Sequence, residues 1–121
     1  MTFGDYIAGK RLAAKITLRE MAKRLDVSAP YLSDVEKGRR KPLSMEKMEI
    51  YSAVVGLTEE EKKEMLDLAG QDRDQVAPDL PPYIMMNDYV SYALREARDR
   101  GADEDDWLKF VEELKRKHPK G

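Results

Sequence analysis

The sequence predicts an all-α protein that consists of a five-helix bundle followed by a C-terminal pair of helices. Apolar residues recur at spacings of three and four along seven segments, which is the period of a helix that buries one face. Ser, Thr or Asp precedes most of these segments, where its side chain can cap a helix, and glycine follows several of them. The 121 residues suffice for one domain with a modest core and an appendage.

Composition limits the chemistry and the compartment. The chain has no cysteine, so it can form neither a disulfide nor a thiolate metal site, which fits a reducing compartment. No run of about 18 apolar residues could span a membrane, and the first residues lack the apolar stretch of a signal peptide. We therefore expect a cytoplasmic protein that needs no cofactor and no metal.

Charge is distributed unevenly along the chain, whose formal net charge is −2. Residues 1–43 contain ten Lys and Arg against five Asp and Glu, a net charge of +5, and the remainder carries −7. A positive region of this kind is what phosphate binding requires, and an acidic remainder limits non-specific association. Small soluble proteins often have uneven charge, so the charge distribution indicates phosphate binding only together with the motif in the positive region.

Two short helices separated by a tight turn are predicted in residues 17–42. Thr17 can cap the first helix, and Glu20 would complete a capping box. Asp26 interrupts the helical pattern and tolerates the left-handed backbone that a sharp turn needs. Ser28 can cap the second helix.

The same stretch resembles a known family. It is similar to the helix-turn-helix of lambda-repressor-like, Xre-type DNA-binding proteins, and the likeness extends over about residues 3–69. The features that carry it are the small Ala22, the apolar pair Leu32 and Val35, and the ending VEKGRRKP. The resemblance implies a five-helix lambda-repressor-like bundle that binds double-stranded DNA.

Two positions depart from the pattern of that family. Asp26 stands where the turn commonly has glycine, and Leu18 stands where a polar residue often contacts a backbone phosphate. The first change is mild, whereas the second leaves this phosphate contact without its usual polar side chain. Together with Asp34, these residues favour an alternative in which the chain is a protein-interaction module and DNA binding is secondary.

Two opposite charges fall on faces that are expected to point inward. Arg11 shares a stripe with Phe3 and Ile7 on the first helix, and Glu36 lies on the inner face of the second motif helix. Because an unpaired buried charge is costly, we expect Arg11 and Glu36 to form a structural ion pair, which the resemblance also implies. The alternative is that both side chains extend to solvent.

The outer face of the second motif helix is expected to enter the major groove, where base edges present distinct hydrogen-bonding patterns. The candidates for base recognition are Ala29, Pro30, Ser33 and Asp34. The first two offer only apolar contact, whereas Ser33 can donate or accept. Asp34 can accept from a cytosine amino group. Equally, it can pair with Lys37 or Arg39 and contact no base.

Contacts to DNA phosphates are expected around this helix. A hydroxyl at a helix N-terminus suits a phosphate, and the basic loop after Gly38 can follow one strand. The expected phosphate contacts are Thr17, Ser28, Tyr31, Lys37, Arg39, Arg40 and Lys41. A basic triplet alone is usually a solvated loop, so this assignment depends on the preceding helix pair.

Two further helices are expected to complete the bundle. Helix four is predicted over Ser44–Val55, and helix five begins with a capping box at Thr58 and closes at Gly70. We expect residues 1–70 to form the DNA-binding domain. The proline-rich residues 71–83 are expected to form an ordered or semi-stiff linker.

Residues 84–121 are expected to form a pair of helices that serves dimerisation or partner binding. The second helix has an acidic start and a basic end, which complement its dipole and explain the acidic run better than a metal site does. Two helices are too few to hide their apolar stripes by themselves. The expected dimer or partner surface is Val90, Leu94, Trp107, Phe110, Val111 and Leu114.

These observations predict a sequence-specific transcriptional regulator that binds double-stranded DNA. We expect a homodimeric repressor that acts by occupying an inverted-repeat operator. The alternative is an antitoxin-type or mobile-element regulator, because such proteins belong to the family that the chain resembles and use an added segment to bind a partner protein. An enzyme is not expected, since the one histidine, His118, lies in a basic tail and no glycine-rich phosphate loop is present.

Overall fold

The computed structural model describes residues 1–120. In this part of the chain it contains eight α-helices and no strand, which confirms the predicted all-α class. The helices are α1 (Phe3–Ala13), α2 (Leu18–Leu25), α3 (Ala29–Glu36), α4 (Met45–Val55), α5 (Glu59–Asp72), α6 (Leu80–Met85), α7 (Asp88–Arg100) and α8 (Glu104–Lys117). None of these described helices has the length and hydrophobicity needed to cross a membrane. The chain divides into two compact units, Met1–Pro82 and a second that begins at Tyr83.

Side-chain caps begin α2 and α5, but only one of the two expected capping boxes is complete. The Thr58 hydroxyl accepts from the backbone N–H of Glu61, whose carboxylate accepts from the backbone N–H of Thr58. At the start of α2 the Thr17 hydroxyl accepts from the backbone N–H of Glu20 at 3.1 Å. The Glu20 carboxylate accepts from the hydroxyl of Thr17 and not from the backbone N–H of Thr17, so only half of the predicted capping box forms.

One hydrophobic core holds the first unit together. It contains Phe3, Tyr6, Ile7, Met21, Ala22, Leu25, Leu32, Val35, Leu43, Met48, Tyr51, Met65, Leu66, Ala69 and Ala77. Helix α3 packs against α1 and α2, while α1 also packs against α5 and α2 against α4. The hydroxyl of the fully buried Tyr51 donates to the Ile7 carbonyl at 2.6 Å, so this phenol is satisfied inside the core.

The prolines predicted an ordered or semi-stiff linker over residues 71–83, but this stretch contains the end of α5, a return to the core and most of α6. Helix α5 continues past Gly70, and the chain then turns back so that Ala77 is buried in the core. A Cβ on Gly70 would lie 2.7 Å from the backbone of Val76, so this glycine permits the close approach of the returning segment and does not end the helix. Helix α6 was not expected either. Its prolines are compatible with a helix because they lie in the first turn, where the missing N–H groups cost nothing.

The second unit contains α7 and α8, and its helices follow the expected boundaries closely. Gly101 ends α7 with φ +74°, and Asp103 and Asp106 form a complete capping box at the start of α8. Neither α7 nor α8 buries any residue. The rings of Trp107 and Phe110 meet edge to face with their centroids 6.2 Å apart. The apolar side chains of this unit therefore remain largely uncovered.

Gly4 allows α1 to approach the end of α3. A Cβ on Gly4 would lie 2.3 Å from the carbonyl oxygen of Glu36 and 2.7 Å from that of Val35, both backbone atoms. Gly9 lies on the same helix, yet a Cβ there would have no neighbour within 4 Å. A larger side chain is therefore excluded by the packing at Gly4 but not at Gly9.

We predict that Gly4→Ala destabilises the fold by about 2–3 kcal/mol, because the extra methyl group forces α1 away from α3. The matched control is Gly9→Ala, which should stabilise the fold by about 0.5–1 kcal/mol through helix propensity. Urea unfolding followed by circular dichroism measures both. Equal effects of the two substitutions would contradict the close approach.

An ion pair joins α1 to the start of α5. The Lys10 ammonium contacts the Glu61 carboxylate, and this hydrogen bond, with those from Thr58, lowers the pKa of Glu61 from 4.5 to about 2. Below pH 4.5 the unfolded chain therefore takes up a proton at Glu61 that the folded chain does not. The resulting stability is fully present above pH 4.5 and is lost as the pH falls towards 2.

We predict that Glu61→Gln flattens the acid dependence of stability between pH 4.5 and 2, because the substitution removes the titrating group. The free energy of unfolding should be measured in urea at pH 6 and pH 3 for both proteins. Glu60→Gln is the control, since the Glu60 side chain is 86% exposed and approaches only Lys63, at 3.5 Å. An unchanged pH dependence in Glu61→Gln would refute the linkage.

Candidate nucleic-acid interface

A tight turn sets the angle between α2 and α3. Asp26 takes the left-handed backbone conformation expected for it, with φ 56° and ψ 47°. The backbone N–H of Val27 donates to the Ala22 carbonyl at 3.0 Å, which closes the end of α2. Lys47 adds an anchor that the sequence analysis missed, since its ammonium donates to the Leu25 carbonyl at 2.8 Å. A cation at a helix C-terminus is also favoured by the helix dipole.

Arg11 and Glu36 form a bidentate ion pair that ties the end of α3 to α1. Arg11 Nε lies 2.8 Å from one carboxylate oxygen of Glu36, and Nη2 lies 3.0 Å from the other. Arg11 Nη1 donates to the Ile16 carbonyl at 2.9 Å. Both side chains are only 10% exposed, and the hydrogen bonds that Arg11 donates to the Glu36 carboxylate raise the pKa of Arg11. The pair is therefore satisfied on both sides, as a buried pair must be.

Three of the four base-recognition candidates lie on the side of α3 away from its core-facing residues. Leu32 and Val35 are buried, whereas Pro30 is exposed and Ser33 and Asp34 are half-buried. Ala29 is also half-buried and packs partly against the core. Ala29 therefore presents less surface than the sequence analysis assumed.

Asp34 is close to a basic residue of the following loop. Its carboxylate lies 3.7 Å from Arg39 Nη1, and the backbone N–H of Arg39 donates to the Asp34 carbonyl at 2.8 Å. This geometry favours the alternative in which Asp34 pairs with Arg39. The pairing offsets the repulsion that an isolated carboxylate would exert on a nearby phosphate.

The basic loop is held at both ends. Gly38 turns the chain out of α3 with φ +76°, a conformation that glycine adopts without strain. At the other end, Arg73 Nη2 donates to the carbonyls of Pro42 and Leu43, the latter at 3.2 Å. Arg73 was missed because the sequence analysis placed it in the linker. Only the fold brings it back to the loop.

The side chains of the loop are exposed, and one of them stacks on α3. The guanidinium of Arg40 lies 5.7 Å from the ring centroid of Tyr31, which is within cation–π distance. Arg39, Lys41 and Lys37 extend into solvent. Four of the expected phosphate contacts therefore follow the C-terminal end of α3, and a fifth, Tyr31, lies beside one of them on the helix.

The other two expected phosphate contacts are helix caps. The Ser28 hydroxyl accepts from the backbone N–H of Tyr31 at 3.1 Å and can still donate to an incoming phosphate. Thr17 caps α2, and its hydroxyl donates to the Glu20 carboxylate. A carboxylate beside the hydroxyl repels phosphate, so Thr17 is the weakest of the seven contacts.

Comparisons with known proteins identify a helix-turn-helix domain in this chain. The profile of the family described as a helix-turn-helix domain matches residues 2–77. An uncharacterised HTH-type transcriptional regulator of Mycobacterium tuberculosis is 49% identical over 39 residues, which cover 32% of this chain and 28% of that protein. The transcriptional regulator ClgR of the same organism is 41% identical over 51 residues, which cover 42% of each protein. The chain thus spans less than half the length of these relatives, and no solved structure matches it.

We predict that Arg11→Met alone destabilises the fold by about 3 kcal/mol, because it leaves the Glu36 carboxylate buried without its partner. Combining it with Glu36→Leu should recover much of the loss. A double-mutant cycle on urea unfolding gives the coupling energy. The surface pair Lys62–Glu49 is the control, with an expected coupling below about 1 kcal/mol. A coupling energy for Arg11 and Glu36 no larger than that of the control pair would contradict the prediction.

Proposed function

We propose a function for this chain on the basis that it belongs to the helix-turn-helix domain family. The protein is a sequence-specific transcriptional regulator that binds double-stranded DNA through α3 and the basic loop that follows it. Two relatives with partial matches bear the names of transcriptional regulators, which supports the same proposal.

The observation that carries the proposal is the combination of a fixed helix with an exposed cationic loop. The ion pair of Arg11 holds one end of α3, and the Ser28 cap begins the other. The three successive cations Arg39, Arg40 and Lys41 are exposed directly after it. Phosphate contacts of this kind set the position of a helix in the major groove, so that its outer side chains meet base edges.

Base recognition rests on a short surface. Ser33 supplies a hydroxyl that can donate or accept, and Pro30 supplies an apolar contact of the kind that a thymine methyl makes. Asp34 contributes to recognition only where DNA draws it away from Arg39. One copy therefore makes few specific contacts, and a homodimer that reads two half-sites of an inverted repeat supplies the remainder.

Occupancy of the operator is the simplest mechanism for such a protein. Two helices in successive major grooves cover the DNA that a polymerase needs, and no chemical step is required. The protein therefore acts as a repressor wherever its operator overlaps a promoter.

A second candidate is a regulator of the antitoxin type, whose C-terminal helices bind a different protein. The observation that favours it is the exposure of large apolar residues in α7 and α8, such as Phe110 at 50%. The mass of the purified full-length chain separates the two candidates. A homodimeric regulator is dimeric by itself, whereas the second candidate exposes this surface until its partner arrives.

We predict that Arg40→Ala weakens binding to every duplex by a similar factor, because Arg40 contacts phosphate. The test uses a duplex selected from a random pool by the wild-type chain, together with an unrelated duplex of equal length. Fluorescence anisotropy over a range of salt concentrations should show that the slope of log K against log salt falls by about one.

The matched control for this test is Arg98→Ala, which removes an exposed arginine of α7 far along the sequence from the motif. It should leave both affinities and the slope unchanged. A loss confined to the selected duplex would mean that Arg40 contacts a base. A wild-type chain that enriches no sequence and binds no duplex would refute the proposed function.

A further inference from the structure

The second unit has an open apolar groove between α7 and α8. The groove measures ≈ 560 Å³ and is lined by Tyr83, Tyr89, Val90, Ala93, Leu94, Trp107, Phe110 and Leu114. Its aromatic residues are far from buried, since Trp107 is 41% and Tyr89 is 88% exposed. Contiguous apolar surface of this kind is uncommon on a monomer and marks an interaction site.

We propose that a second copy of this chain covers the groove, with the α8 helices of the two copies antiparallel and related by a two-fold axis perpendicular to them. The inference deepens the proposed function, because it rests on the homodimer of that proposal and names the surface through which the two copies assemble.

The charges of α8 favour this occupant and this direction. The first turn carries Glu104, Asp105 and Asp106, and the last turn carries Lys115, Arg116 and Lys117. The helix dipole favours both runs within one chain. Between two copies, an antiparallel pair places each acidic turn beside a basic turn, whereas a parallel pair places like charges together.

The apolar stripe of α8 is centred on the same point as its charges. Helix α8 spans Glu104–Lys117, so its midpoint lies between Phe110 and Val111. A two-fold axis through this midpoint brings Trp107 level with Leu114 of the second copy and places Phe110 beside the axis. The same axis brings each acidic turn level with the basic turn of the other copy. One operation therefore matches the apolar and the charged residues at once, as an isologous interface requires.

Crosslinking tests the direction of the helices without DNA. The chain contains no cysteine, so single introduced thiols react without interference. Glu104→Cys and Lys115→Cys flank the apolar stripe on the same side of α8. In the antiparallel pair, the two introduced positions of different copies lie close together. Identical positions of the two copies are separated along the helix direction by about 20 Å for residue 104 and by about 14 Å for residue 115.

The expected result is that a short bismaleimide crosslinks an equimolar mixture of the two full-length variants, while neither variant alone forms a crosslinked dimer. The matched control pairs Asp105→Cys with Arg116→Cys, which lie on the opposite face of α8 and should not crosslink. Crosslinking of each variant by itself would indicate parallel helices, and no crosslinking in the mixture would remove α8 from the interface. Either outcome overturns the proposal.

Two further measurements separate this proposal from the proposed function. Sedimentation equilibrium should give a dimer for the full-length wild type at micromolar concentration. It should give a monomer for Phe110→Ser, with the helical circular dichroism signal retained. Adding Arg40→Ala to both cysteine variants should leave their crosslinking unchanged, because DNA contact takes no part in assembly. A monomeric wild type would overturn the interface even if DNA binding were demonstrated.

Discussion

The contact between α1 and the last turn of α3 is the constraint on which the DNA-binding unit depends. It has a side-chain part and a backbone part at the same residue. The Glu36 carboxylate receives two hydrogen bonds from Arg11, and the Glu36 carbonyl lies where only a glycine at position 4 leaves room. Burying a carboxylate and a guanidinium is costly, and the cost is offset here because Arg11 also donates to Ile16. A hydrophobic contact would hold the two helices together without fixing their register so closely.

The position of the cationic loop follows from that contact. The loop begins two residues after Glu36, so a shift at the end of α3 moves every cation in it. Arg73 fixes the far end of the loop through the carbonyls of Pro42 and Leu43. The backbone of the loop is thereby fixed, so under the proposed function less conformational entropy is lost when DNA binds. The side chains of Arg39, Arg40 and Lys41 keep the freedom to follow a phosphate strand.

The sequence was sufficient for features that depend on local geometry. The caps at Ser28 and Thr58 and the left-handed Asp26 follow from residue type and spacing, and each is found where the pattern places it. The partnership of Arg11 with Glu36 could be inferred because two helical periods pointed opposite charges inward. These signals are strong because they involve neighbours within one or two turns.

Features that depend on distant neighbours were beyond the sequence. Gly70 looks like a helix stop, yet its role is to admit the backbone of residue 76 against α5. Prolines predicted an ordered or semi-stiff linker, although proline is equally suited to the first turn of α6. Arg73 carries no periodic signal, and its partners are carbonyl groups, which every residue has. Such roles become visible only once the fold brings the segments together.

The two units differ in how far their large apolar side chains are exposed. The first unit hides its large apolar residues, with Leu32, Met48 and Tyr51 at 1% exposure or less. The second leaves Trp107 and Phe110 partly open, and the acidic first turn and basic last turn of its α8 suit the proposed second copy. Under the proposed function that difference is useful, because one serine and one proline discriminate weakly between sequences. Joining two such surfaces multiplies their discrimination without adding a single base contact to either copy.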